Sequence, residues 1–546
     1  MRWMLALAVI AGCAQQTPVG SVRFANAPVV WRVNDRVHVE KTPAGNEFLR
    51  ALYHFDGYMA AIERTMTLQR SRRATGVNAF DEVPDSTWFT NRIGAREVTP
   101  GEIRRGAGSG ESPDKHLPWT ITSAKSGGAT LGFLVKDALD RKFILKFDAA
   151  PTPEVETGAD AVAARLFWAA GYYTAEDHIV YFQLDDVVIA PDATVAIHGK
   201  PVKLTKEFLE QQLKAYAHAD DGSIRGLASL FVHGKPLGGS TNVGVRKGDP
   251  NDRIPHEMRR DQRGMRPFLI WLAHNDIKMD NTLDVYDEDP KDKKIKYVTH
   301  YLIDFGDAVG SQGLTLRKAY MDFQHWFDPE EQLISLVTLG IHKQPWEGRI
   351  DPRMRGIGLY SADDFDPTEW KTAAMGWIPF FTADRIDDYW GAKLIARFTR
   401  AQITAAVDSG RYSDPRAAAY LVDTILKRAQ IVARDAFKRV NPIDELKLEH
   451  NTLCFTDLAL HYGLESVPTT FTIQAYDENG SPLEFTRAVT PDATGRACVD
   501  NLMLVRDGSR YTIYKVDNSR GMPGTLVHLA ADPATKKPRI IGIYRL

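Results

Sequence analysis

The sequence predicts an α+β fold of two lobes, the first rich in β-structure and the second helical, followed by a small C-terminal β domain of sandwich type. Three observations predict it. Residues 118–182 fall into short runs of alternating apolar and polar residues, apolar positions recur at helical spacing beyond Gly306 as far as Phe437, and alternation returns from about Leu446. With 546 residues, 44% hydrophobic and 25% charged, the chain is long enough to bury sizeable cores in two or three domains. Its net charge of −2 offers no basic footprint and argues against nucleic acid as a partner. The clusters Arg259-Arg260 and Lys291 to Lys294 read as local solvated faces.

Residues 1–13 carry a basic Arg2, an apolar stretch from Met4 to Ile10, and Ile10-Ala11-Gly12-Cys13, which matches a bacterial lipoprotein cleavage box. The expectation is a mature chain that begins at a lipidated Cys13 and sits in the bacterial cell envelope, held to the membrane by that anchor. Ala14 in place of Asp after the cysteine matches the pattern sent to the outer membrane. The apolar stretch is too short to span a bilayer as a helix.

Residues 14–117 read as a strap without chemistry of its own. Phe48, Leu49, Leu52, Tyr53 and Phe55, then Met59, Ile62 and Met66, predict a helix or helix pair within Asn46 to Gln69, and Arg104 to Lys115 is an exposed loop of glycine, serine and charge.

Residues 118–235 form the β-rich lobe. Trp119 to Ser123, Leu131 to Lys136 and Arg141 to Phe147 read as strands, the first two flanking Lys125-Ser126-Gly127-Gly128-Ala129-Thr130. Gly127-Gly128-x-x-x-Gly132 is not a Walker A loop, because Phe133 follows Gly132 where Lys-Ser or Lys-Thr is required. Lys146 stands in an apolar strand, where an unpaired ammonium is costly, so it must meet a carboxylate. The helix expected over Asp160 to Ala170 offers Asp160 on its inward face, with Glu156 one turn earlier as the alternative. His178 to Phe182, Leu184 to Ile189 and Ser223 to His233 read as further strands, Thr205 to Ala217 as an inserted helix, and Gly234 to Gly239 as the hinge.

Residues 236–443 form the helical lobe. Pro255 to Arg260 groups His, Glu and Arg, yet lacks a second partner at ligand spacing and reads as a charged helix start. Met265, Phe268, Leu269 and Leu272 recur at helical spacing around Pro267 and lead into His274-Asn275-Asp276-Ile277-Lys278-Met279-Asp280-Asn281. A strand, a charged turn from Asp287 to Lys294 and a returning strand follow, ending in Asp304-Phe305-Gly306. Asp414-Pro415 starts a long helix that Asn441-Pro442 ends, and Trp326, Trp346, Trp370, Trp377 and Trp390 suit a packed core.

The pair H-x-D-x-K-x-x-N and D-F-G, with a hairpin between, resembles the phosphoryl-transfer centre of the protein-kinase-like superfamily, in an atypical form nearest in style to the bacterial HipA and CotH-type kinases. The resemblance covers roughly residues 118 to 440. It implies ATP and Mg²⁺ in a cleft between the lobes, with Asp276 as catalytic-loop base and Lys278 as a cation near the transferred phosphoryl. It further implies Asn281 and Asp304 as metal ligands, Lys146 on the α and β phosphates with Asp160 as its partner, and Gly127 and Gly128 in the nucleotide loop. Three departures stand out. Asn275 replaces the arginine of H-R-D, the glycine loop is irregular, and no A-P-E follows Asp304.

Residues 446–546 alternate as short strands around Asn479-Gly480, a hairpin turn, and carry no catalytic signature. Of three cysteines, Cys454 and Cys498 remain once Cys13 is lipidated; one disulfide and two buried thiols are both open. C-x-x-C, H-E-x-x-H and G-x-S-x-G are absent, which leaves zinc and serine-hydrolase chemistry unsupported. The expected activity is ATP- and Mg²⁺-dependent phosphate transfer to an unknown acceptor. The alternative is an inactive kinase-like lipoprotein that binds a ligand or an envelope protein, because free ATP is scarce where lipid anchors face.

Overall fold

The computed structural model describes residues 17–47, 52–53, 55–59, 72–108, 110–124, 132–197, 200–313, 315–325, 328–349, 351–372, 376–505 and 511–546. Cys13, Gly127, Gly128 and Trp326 lie outside them. The chain divides into two compact units, one of residues 31–76 and 83–435, the other of residues up to 30, 77–82 and 436–546. The stretch expected as one strap contributes to both.

The larger unit is sheet-rich first and helical later. Its strands begin with β1 (Trp119–Ala124), β2 (Gly132–Lys136) and β3 (Lys142–Lys146), followed by the helix Val155–Ala170. Then come the short β4 (Tyr173–Thr174), β5 (Asp177–Phe182), β6 (Val187–Ile197), β7 (Lys200–Lys203), the helix Lys206–Leu213 and β8 (Ile224–Leu230). One sheet takes seven of these strands in the order β5-β8-β3-β2-β1-β6-β7, with β1 and β6 parallel. Trp119, Phe133, Phe143, Leu145 and Phe182 fill its core together with Leu209 and Leu213 of the short helix.

The helix Val155–Ala170 starts one turn earlier than Asp160, where the sequence places its start. Glu154 turns the chain through a left-handed conformation at φ +69°, and the Asp148 carboxylate accepts the Thr157 N–H at 2.9 Å and its hydroxyl at 2.6 Å, satisfying first-turn donors. All but one of its residues are buried, which is why its apolar residues do not mark one face.

Past β9 (Lys235–Pro236), Pro267 stands at the start of the helix Arg266–Leu272, where its missing N–H costs nothing. β10 (Thr282–Glu288) and β11 (Lys296–Leu302) pair residue for residue, Thr282 with Leu302 through Glu288 with Lys296. β12 (Ser311–Gln312) and β13 (Thr315–Leu316) form a small ribbon, and the helices Arg385–Ala396, Arg400–Asp408 and Pro415–Arg439 complete the lobe. Trp271 Nε1 donates to Ile425 O at 2.8 Å and ties the first of these lobe helices to the last. Residues 31–47 lace the outside: Val39 N donates to Lys296 O at 2.8 Å and Asn46 N to Leu237 O at 2.7 Å.

The smaller unit contains β14 (Ile443–Glu449), β15 (Thr452–Asp457), β16 (Phe471–Tyr476), β17 (Pro482–Val489), β18 (Arg496–Val499), β19 (Thr512–Asn518), β20 (Thr525–Ala531) and β21 (Pro538–Arg545). They form two sheets, β14-β15-β18 and β17-β16-β19-β20-β21, that share one core of Leu453, Phe455, Phe471, Ile473, Tyr514 and Val527 among others. Gly480, at φ +88°, takes the turn expected of it. Cys454 and Cys498 face each other across β15 and β18 and are joined as a disulfide. Among the described residues no helix is long and apolar enough to cross a membrane.

Candidate active site

β3 delivers Lys146, flanked by β2 and β8. Lys146 Nζ lies 2.7 Å from Asp304 Oδ1 and 3.2 Å from Asp160 Oδ2. Burial alone would lower the affinity of this lysine for its proton; the Asp304 and Asp160 carboxylates outweigh it and hold its pKa well above the ordinary lysine value. Asp160 does a second thing. Its Oδ1 accepts the Phe305 N–H at 3.3 Å, so one carboxylate fixes both the strand lysine and the D-F-G backbone.

Asp304 occupies the left-handed region at φ +63°, a strained conformation for a residue with a β-carbon and one that collects at functional sites. Its neighbours hold it there. Phe305 is buried, its ring 5.0 Å from Phe167 of the long helix and 5.7 Å from His274. Gly306 packs tightly on Glu156: a β-carbon there would stand 3.0 Å from Glu156 Cγ and would have to displace it. Burial pushes the His274 pKa down to about 4, so the ring is a neutral packing element.

Helix Arg266–Leu272 ends at Ala273 in a left-handed turn, φ +49°, and the loop that follows presents Asp276, Lys278 and Asn281 together. Lys278 Nζ lies 2.5 Å from Asp276 Oδ2. Asn281 Nδ2 donates to Asp276 Oδ2 at 2.9 Å and to Asp276 O at 2.7 Å. Both amide hydrogens of Asn281 are thereby committed to Asp276, which leaves its carbonyl oxygen as an acceptor or ligand atom.

The structure therefore brings together Lys146, Asp160 and Asp304, and separately Asp276, Lys278 and Asn281. Asp160, rather than Glu156, hydrogen-bonds the lysine. Glu156 stays close, and its Oε2 has no hydrogen-bond partner among the described residues. Burial, with Asp304 and Asp148 adding and Lys146 opposing, pushes its pKa up to about 8. Asp307, one residue past D-F-G, is pushed up to about 7 by burial and by Asp276 and Asp304, against Arg317.

The folded chain thus holds a proton on Glu156 that the unfolded chain releases above its ordinary value of 4.5, so the site costs stability progressively as pH rises from there to about 8. Glu156→Gln removes that dependence. In chelator-containing buffer its melting temperature relative to wild type is expected to rise by several degrees between pH 5 and pH 8; a constant difference would show that Glu156 is ionised in the fold.

Among the described residues no group of three or more His, Cys, Asp or Glu is arranged to hold a metal ion by itself. Mg²⁺ does not need such a cage, because it keeps waters and takes one or two carboxylates plus phosphate oxygens. The Asp304 carboxylate, 40% exposed, and the free oxygen of Asn281 fit that mode.

A buried network behind the loop was not legible in the sequence. Asp284, two residues into β10 from Thr282, is fully buried and accepts from Arg246 Nη1 and Ser240 Oγ, with His300 Nδ1 at 2.7 Å. Trp88 stacks on His300 with ring centroids 3.6 Å apart, and Ser240 N donates to Thr282 Oγ1 at 2.8 Å. His256 belongs to this neighbourhood, its Nε2 2.7 Å from Asp252 Oδ2, with no metal set around it among the described residues. Partners distant in the chain, from Arg246 to His300, bury Asp284, and no local pattern reports them. Arg246→Ala would leave Asp284 charged and short of its main partner, a loss of about 3–5 kcal/mol, checked by thermal unfolding.

No family model matches the chain, and no curated protein matches it. Among solved structures, the chain is similar to one described as the crystal structure of the Golgi casein kinase with Mn/ADP bound, at 8% identity, over 72% of this chain and 90% of that one, with a TM-score of 0.29. A TM-score that low carries no weight for fold or function.

Proposed function

We propose that this chain is an ATP- and Mg²⁺-dependent phosphotransferase of atypical protein-kinase-like type. One observation carries the reading. Lys146 of the first lobe and Asp304 of the D-F-G tripeptide meet at 2.7 Å across 158 positions of sequence, with Asp160 bonded to both halves. A chance tripeptide has no reason to be seated on the strand lysine by a buried carboxylate.

In this reading Asp304 and the Asn281 oxygen would hold Mg²⁺, whose chemistry there would be neutralisation of the nucleotide's phosphate charge. Lys146, kept protonated by its carboxylates, is the cation for the nucleotide phosphates. Asp276 has Oδ2 engaged by Lys278 and Asn281, and its Oδ1 is the atom that accepts the proton of an acceptor hydroxyl. Lys278 then stands beside the hydroxyl as it attacks and offsets the charge that develops. The reading extends to the location: lipidation of Cys13 would tether the enzyme to the cell envelope, which the Ile10-Ala11-Gly12-Cys13 box supports.

Calorimetry of ATP binding to the chain from Ala14 onward, with and without Mg²⁺, tests the core of the proposal. Mg²⁺-dependent binding is expected. A folded protein that binds no nucleotide under either condition would sink it in favour of a non-catalytic binding protein.

A further inference from the structure

In many kinases the segment after the metal-binding tripeptide is ordered by a phosphoryl group gripped by arginines, one of them next to the catalytic aspartate. Here the grip closes on a carboxylate. Asp322 is 4% exposed and sits at φ +78°, a strained conformation for a non-glycine residue. Its Oδ1 accepts from Asn275 Nδ2 at 2.9 Å, Arg317 Nη1 at 2.9 Å and Trp370 Nε1 at 3.0 Å, while its Oδ2 lies 3.5 Å from Arg349 Nη1.

These donors come from three places in the chain. Asn275 directly precedes Asp276, Arg317 follows D-F-G, and Trp370 lies near the far end of the same segment. The ties are reinforced by backbone: Arg317 Nη2 donates to Asp307 O at 2.8 Å, Lys371 N to Asp322 O at 2.8 Å, and Thr372 Oγ1 to Asn275 O at 3.2 Å.

The charge count explains why residue 275 is asparagine. A phosphoryl group brings up to about two negative charges, whereas a carboxylate brings one. Arg317 pairs with Asp322 at 2.9 Å and Arg349 is shared between Asp322 at 3.5 Å and Asp364 at 3.1 Å, so the two carboxylates are already matched by two guanidinium groups and a third buried cation at position 275 would add unmatched charge. A neutral amide donor makes the bond without it.

We propose that Asp322 is a positioning residue that replaces a phosphoryl group with an encoded carboxylate, locking the segment after D-F-G onto Asn275 and thereby setting the backbone that carries Asp276. The site is then assembled without a modification step, and no phosphatase can switch it off. This rests on the phosphotransferase reading and specifies how that activity is held on.

The test uses the chain from Ala14 onward with Asp322→Asn, Asn275→Ala and the double variant. Hydrogen exchange is expected to speed up at least about tenfold in residues 272–282 and 307–322 of each single variant. Phosphate transfer should lose about 10–100-fold in kcat, since the backbone that places Asp276 loosens. The double variant should be no worse than either single one, and phosphatase treatment should leave wild-type kcat intact. Unchanged exchange in both single variants, additive losses in the double, or a phosphatase-sensitive wild type would each overturn the lock. Should Asp322→Asn not fold, Asn275→Ala removes one donor only and decides alone. Exchange that responds as expected in a protein that transfers no phosphate would uphold the lock and reject the phosphotransferase reading instead.

Discussion

Asp304→Asn is expected to abolish the Mg²⁺-dependent part of ATP binding, weakening it by at least about 100-fold, while the protein stays folded. Changes to groups that merely support a metal ligand already cost about 10–100-fold in metal affinity, and here the proposed ligating carboxylate itself loses its charge. Folding is spared because Lys146 keeps Asp160 at 3.2 Å, and position 304 is 40% exposed, so no buried charge is stranded. Left-handed backbone at φ +63° suits asparagine as well as aspartate. Calorimetry with a Mg²⁺ titration reads the result, with thermal unfolding as the folding control. An affinity that still responds to Mg²⁺ as in wild type would remove Asp304 from the metal site.

Asp276→Ala acts on the other half and at a different step. Phosphate transfer should fall by about 10²–10⁴-fold, the usual contribution of a positioned base, with ATP affinity within a few-fold of wild type in Asp276→Asn, which keeps an oxygen for Asn281. The split follows from the geometry: Asp276 bonds Lys278 and Asn281, whereas Asp304 bonds Lys146, which Asp160 also bonds. Asp276→Asn is the necessary companion, because alanine also releases Asn281, a proposed metal ligand. A loss shared by both variants belongs to the carboxylate; a loss confined to alanine belongs to the scaffold. Undiminished transfer in both would reject Asp276 as the base.

Much of this was readable in the chain. The hairpin between the two motifs followed from strand-like runs flanking a charged turn, and it pairs throughout from Thr282–Leu302 to Glu288–Lys296. Lys146 announced a carboxylate partner because an ammonium in an apolar strand is costly without one. Local rules were enough there because each signal acts within a few residues. They failed where partners are distant. Nothing in the sequence near Asp284 or Asp322 reports a burial created by Arg246, His300, Arg317 and Trp370.

The sequence by itself determined the order of sheet-rich region then helices, the two motifs, the strand lysine and the turn chemistry at Pro267 and Gly480, since periodicity and backbone permissiveness are local properties. Only the tertiary structure decided that Asp160 rather than Glu156 bonds Lys146 and that Cys454 and Cys498 are joined. It also decided that residues 14–117 serve two units and that Asn275 meets a carboxylate. The physical reason is common to all four. Which acid reaches a cation, which thiols lie opposite, and which charges go unhydrated depend on distances between elements far apart in the chain, and Coulomb energies in a buried site vary steeply over the ångström or so that those distances settle.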